Sequence, residues 1–201
     1  MDINERNELR LPGVCMDPKE LRKKYLEMSK GLSKQLGLPA GFPVLTNDEG
    51  RIILAGRRWV LMDVESFPIY MIKTLANMVG ERLAQEFIYW FGVAYGEKVA
   101  ERFLKMGVTQ DMLPLAIAAF TAVFTGWGIV EVIEYEPENG EAVVKIYNDF
   151  ESESAIINGS KPTNNFMRGI IAGISSKVSG AKVYASAEYK DGYILVTVKK
   201  R

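Results

Sequence analysis

Carboxylates have the only spacing in this chain that could support acid–base or cation chemistry. Asp149, Glu151 and Glu153 alternate after a predicted strand, and Glu131, Glu134 and Glu136 fall along another. The first group could hold a cation, although it reads more simply as a solvated turn or helix start. In the second, Glu131 and Glu134 are expected on opposite faces, because strand side chains alternate with period two. The other catalytic constellations are missing. Histidine is absent and Cys15 is the single cysteine, which excludes a Ser-His-Asp triad, a Cys-His dyad, a zinc finger and a histidine-held haem. Gly31-Leu32-Ser33-Lys34 lacks the spacing of a phosphate-binding loop, and no dinucleotide site offers a hydride donor. The expectation is a protein that is not an enzyme, with no metal and no cofactor.

The residues left to recognise something are mostly aromatic. Phe87, Phe91 and Tyr95 on one predicted helix, and Phe120 and Phe124 on the next, could face each other across a pocket; simple core packing gives the same pattern. Trp127, between Gly126 and Gly128, could line a cavity mouth or anchor a core through its indole N–H. Tyr147 and Tyr184 could offer hydroxyls to a ligand. With 25 basic and 25 acidic side chains, no net field steers nucleic acid or an anionic membrane. The longest apolar stretch, 113–123, falls short of the roughly 20 residues that span a bilayer. A polar N-terminus and one cysteine fit a cytoplasmic protein.

The elements that must position these residues follow from periodicity and turn signals. Residues 1–47 read as an N-terminal arm and helix, the helix opening at Asp17-Pro18. Residues 48–201 read as one ligand-binding domain. A hairpin is predicted from Arg51–Leu54 and Arg58–Met62 across Ala55-Gly56-Arg57. Helical pattern runs from Ser66 to Met106 with Gly80 as its break, then from Met112 to Phe124, with Thr109-Gln110-Asp111 as a cap. Strands follow at Ile129–Glu136 and Ala142–Tyr147 around Asn139-Gly140. A helix spans Pro162–Ser179, and strands Ala181–Glu188 and Tyr193–Lys199 close the chain. The fold class is α+β, an antiparallel sheet packed against a helical layer. Gly169, Ala172 and Gly173 share one helix face, where a sheet is expected to approach closely. Gly92 and Gly96 mark a second close contact, either ordinary helix packing or a dimer interface.

At this level the chain resembles a known group. Gly50–Leu54, Arg58–Asp63, Gly80–Ala84 and Phe91–Gly96 look like the N-terminal sensor of bacterial activators of xylene and phenol catabolism. Gly126–Val132, Asn148–Glu151 and Phe166–Gly173 look like the 4-vinyl-reductase domain that completes that sensor. The same fold serves subunits of vesicle-tethering (transport protein particle, TRAPP) complexes. The resemblance implies a mixed unit, dimeric through its helices, with an apolar cavity between sheet and helices. It also implies departures. The positions where the family binds zinc are here Asn164, Ala185, Glu188 and Val196, a set that cannot hold Zn²⁺. The closing hairpin is then expected to be held by packing through Tyr184, Tyr189, Ile194 and Val196. The family's two polar handles for a phenol correspond to Phe124 and Ile146.

The function expected from residues and resemblance together is a non-catalytic module binding an apolar or aromatic ligand. Phe91, Tyr95, Phe120, Phe124, Trp127, Ile146 and Tyr184 are the expected ligand-binding residues. A homodimer is expected, with output through a partner protein or through the dimer, since no output domain is read in the 201 residues. The alternative is a structural assembly module of the tethering-complex kind.

Overall fold

The computed structural model describes Asn47, residues 51–54 and residues 57–201; the side chains of Leu54, Arg57, Val123 and Phe124 lie outside the description. The chain divides into two compact units, residues 1–61 and 62–201. In the first, β1 (Ile52–Leu54) pairs antiparallel with β2 (Arg57–Trp59), with Ile52 opposite Trp59. This is the expected hairpin. The arm, the helix opening at Asp17 and Cys15 lie outside the described residues.

The second unit runs α1 (Ile69–Val79), α2 (Glu81–Lys105) and α3 (Leu113–Phe120), the last continuing into a π-helical turn, Thr121–Thr125. Then come β3 (Ile129–Glu136), β4 (Glu141–Tyr147), α4 (Phe150–Ile157), α5 (Asn165–Ser179), β5 (Val183–Lys190) and β6 (Tyr193–Lys200). The sheet is antiparallel throughout, in the order β3-β4-β6-β5. The class is α+β, as the sequence implies.

Local chemistry accounts for the boundaries. Gly80 takes a positive φ of 86° between α1 and α2, donates to the Ala76 carbonyl at 2.8 Å and accepts from the Ala84 N–H at 3.0 Å. Gly126, with φ 69°, ends the π-helical turn. The β3–β4 hairpin closes through Gly140, whose N–H reaches the Glu136 carbonyl at 2.8 Å. Along β4 and β6 every second residue points inward: Ala142, Val144 and Ile146 face the core with Ile194, Val196 and Val198. A β-bulge between Val132 and Glu134 breaks the alternation in β3. Glu131 and Glu134 consequently pair with Lys145 and Val143 and are both exposed, which corrects the expectation of opposite faces; a bulge adds one residue and resets the period.

The packing of α2 on α5 corrects a second expectation. Gly169 and Gly173 do not meet the sheet; they meet the backbone of α2, Gly169 at Tyr89 and Gly92 and Gly173 at Val93 and Glu97. A Cβ built at Gly92 or Gly96 would overlap the carbonyl oxygens of Phe166 and Ile170, and one at Gly169 or Gly173 would overlap those of Tyr89 and Val93. The two glycine pairs, each spaced by four, let the helix backbones touch. Gly92 and Gly96 therefore serve a contact within the chain.

The third difference is α4, a helix of its own where the sequence offered only a solvated turn or a helix start. Asp149 caps it, its carboxylate accepting from the Ser152 N–H at 2.9 Å. The helix is eight residues long and begins in the polar run Glu151-Ser152-Glu153-Ser154, so its apolar period is too short to register. At the start of α3, the expected Asp111 cap is replaced by a turn, and the helix begins after Met112 with no side-chain cap.

Substituting Gly173 by Ala forces a methyl group into the Val93 carbonyl and should cost at least about 2 kcal/mol. Urea denaturation of the variant should show that loss at any protein concentration. A concentration-dependent loss would mean that these glycines sit between two chains.

Candidate functional site

Between α3 with its π-helical turn, the inner faces of β3 and β4, and α5 lies an apolar cavity of about 60 Å³. Ile117, Ala118 and Thr121 form its roof. Val130, Val132 and Tyr135 form one wall, because the pleat of β3 turns them inward. Met167, Ile170 and Ile174 come from α5, three and four residues apart and hence on one stripe. None of these residues stood out in the sequence as a site. The signal that could have found them is the helical spacing of 167, 170, 171 and 174 read together with the inward register of β3.

The wall carries three hydroxyl residues, Thr121, Ser175 and Tyr135. The Tyr135 hydroxyl is buried and makes no hydrogen bond. Burial pushes its pKa up, and the negative charge of Asp111 adds to the rise, so the proton stays on.

The described ligand-binding candidates distribute over four places. Phe91, Tyr95 and Trp127 gather around Phe166: Phe91 stacks on it at 5.5 Å, while Tyr95 and Trp127 each lie 5.8 Å away and 5.6 Å from one another. Of these, Trp127 is also on the cavity wall. Phe120 stands edge-on to Phe103 at 5.7 Å. The Phe124 side chain is outside the described ones. Ile146, 1% exposed, contributes to a separate surface groove with Asp149, Ser152 and Tyr189. Tyr184 packs against Tyr89 at 5.0 Å, on the β5 side of α5.

The positions that the resemblance links to zinc do not fit the ion. Ala185 and Val196 carry no donor atom, and Glu188 pairs with Lys190 at 2.8 Å on the surface. Polar side chains of α2 and α5 tie β5 in place. Arg168 donates to the Ala185 carbonyl at 2.6 Å, the Tyr184 hydroxyl at 3.1 Å and the Asn165 amide oxygen at 2.8 Å. Its guanidinium lies 4.6 Å from the Tyr89 ring centre, and the Tyr89 hydroxyl accepts the Ala185 N–H at 3.1 Å. Ile194 and Val196 are buried as expected, whereas about half of Tyr189, 47%, is exposed.

Asp149 and Glu151 are not solvated: they are 5% and 1% exposed, while Glu153 faces water. Glu151 caps α5 from outside the helix. Its two oxygens accept the N–H groups of Asn165, Phe166 and Met167 at 2.7, 2.8 and 3.4 Å, where the helix dipole favours a negative group. Nearby, Thr163 Oγ1 is buried without a partner, and the buried Asn164 side-chain amide lies against the Asp149 carboxylate, where it favours the charged form.

No family model matches this chain, and no curated protein matches its sequence. Among solved structures, it is similar to the phenol-responsive sensory domain of the transcription activator PoxR with phenol, at 17% identity and a TM-score of 0.65, covering 86% of this chain and 90% of that one. It is also similar to a trafficking protein particle complex subunit 3 from Naegleria fowleri covalently bound to palmitic acid (15% identity, TM-score 0.43, 66% and 93% covered). A third likeness is to an H-NOX family structure concerned with heme distortion (16% identity, TM-score 0.42, 92% and 90% covered). The expected sensor-type fold is thus the fold observed, and the likeness is one of fold. Among the described residues no helix is long and apolar enough to cross a membrane.

The buried carboxylates give the α5 cap a pH dependence. Burial, reinforced by the charge of Asp149, pushes Glu151 from an ordinary 4.5 up to about 7, against the pull of its three N–H donors. Burial raises Asp149 as well. A carboxylate whose folded pKa is raised stabilises the fold below its unfolded value and loses that contribution as pH rises through the folded value. Stability should therefore fall between about pH 4.5 and 7, with Glu151 accounting for up to about 3 kcal/mol at 1.36 kcal/mol per unit. Glu151→Gln should flatten that slope in thermal melts, and an unchanged slope would assign it to other groups.

Proposed function

We propose that this chain is a non-catalytic module that binds a small apolar ligand in the cavity between α3, β3–β4 and α5. The observation that carries the reading is the cavity itself, apolar and placed where two helical elements and a sheet meet. The sensory domain that shares this fold was solved with phenol, which supports the same class of role here. Size restricts the ligand. Apolar cavities that hold benzene measure about 150 Å³, against about 60 Å³ in this protein. A single ring can enter only if the walls give, and a long acyl chain has no room.

That mismatch supplies a mechanism. The roof ends in a π-helical turn, where Thr125 Oγ1 bonds the Thr121 carbonyl at 2.9 Å; such turns interrupt the α-helical ladder and are frequent at functional sites. Ligand entry displaces α3 and this turn against α5, and the ligand's differential affinity for the widened state sets the shift. Burial of about 200 Å² of apolar surface contributes about 5 kcal/mol before association costs.

We further propose a homodimer built on α2. Leu83, Phe87, Trp90 and Phe91 recur at helical spacing and are exposed, Phe87 at 58%. A stripe of four large apolar residues on a soluble helix marks an interaction face. The same stripe favours the second reading, an assembly module in a larger complex. Output passes through this face or through a partner on it.

Two measurements test these proposals. Titration calorimetry should detect toluene binding to the protein, abolished by Ala118→Phe, which places a ring in the cavity. Toluene binding unaltered by that variant would remove the cavity from the function. Sedimentation should show a dimer that Phe87→Glu converts to a folded monomer; a wild-type monomer would leave the α2 face to another partner.

A further inference from the structure

We infer that the Tyr135 hydroxyl is the polar handle of the cavity, and that the ligand is a compact apolar molecule carrying one hydrogen-bonding oxygen or nitrogen. The inference rests on the cavity reading above and names the chemical class that the cavity selects.

Tyr135 is the residue of the cavity wall with a fully buried side-chain oxygen lacking a partner, among the described residues. Buried polar groups are nearly always hydrogen-bonded, so an orphan in a wall marks where a partner belongs. The placement gives the cavity polarity. Tyr135 lies opposite Ala142 next to the β3–β4 turn, and Gly140 of that turn packs against Ser175 and Ser179 of α5. Tyr135 and Ser175 thus mark the hairpin end, while Trp127, before β3, stands at the other end with Phe150 and Phe166 around it. A ligand oriented along β3 puts its ring toward Trp127 and its heteroatom toward Tyr135. The phenolic group can donate to that atom or accept from it. The two positions that the family resemblance assigns as polar handles, Phe124 and Ile146, carry no polar atom, and Ile146 is not on the cavity wall.

The test uses two probes of nearly equal shape, phenol and toluene, titrated into the wild-type protein and Tyr135→Phe. The variant removes one oxygen and keeps the ring, so toluene reports on the intact cavity. Phenol affinity should drop on the order of tenfold, the usual size of one recovered buried hydrogen bond, with toluene affinity unchanged or slightly improved. Toluene binding with an unchanged phenol affinity in the variant would overturn the handle and leave the cavity reading standing. Failure of both probes to bind the wild-type protein would overturn the two together.

Discussion

With no Cβ at Gly92, Gly96, Gly169 or Gly173, the backbones of α2 and α5 meet directly, and the rest of the larger unit is arranged around that distance. Interiors are packed as densely as organic crystals, so one short contact fixes its neighbours. Drawing α5 onto α2 leaves its other side, Met167, Ile170 and Ile174, to face β3 and β4 across a gap that the side chains do not fill. The same approach seats Tyr89, wholly buried, between α5 and β5. The cavity is thus a by-product of where α5 can stand.

Once α5 is placed, polar groups hold its ends and its neighbours. Glu151 satisfies the first N–H groups of the helix from another element, and Arg168 binds the backbone of β5. Each does locally what a metal ion would do with side-chain donors: it joins two elements of the fold at a fixed distance. The difference is chemical. A carboxylate buried beside a second carboxylate titrates near neutrality, so this junction responds to protons where a thiolate-bound ion would respond to chelators.

The sequence was most legible where local rules dominate. The boundaries of β3, the break at Gly80 and the Asn139-Gly140 turn are consequences of backbone sterics and period-two alternation, and they stand in the structure as read. Legibility failed where a residue's role depends on its partner. The bulge at Val132–Glu134 leaves no mark in a run of alternating Val, Ile and Glu, yet it turns Glu134 to the same face as Glu131. Asp149 and Glu151 look like solvated acids because charged residues are rarely buried; what buries them is an N-cap in one case and a distant helix end in the other. Among the aromatics, Trp127 reached the cavity wall because it precedes an inward-facing strand, while Tyr184, on a strand as well, was claimed by Tyr89 and Arg168.

By itself the sequence determined the class of the fold, the order of most elements and the lack of histidine and paired cysteine, since these depend on composition and on contacts near in the chain. Only the tertiary structure decided that the glycine faces meet one another, that Glu151 caps a helix fourteen residues away, and that Tyr135 ends with an unpaired hydroxyl at an apolar cavity. The physical reason is that periodicity records which face of an element is buried, whereas a site is made by what that face is buried against. That second partner comes from distant parts of the chain, and no local pattern encodes it.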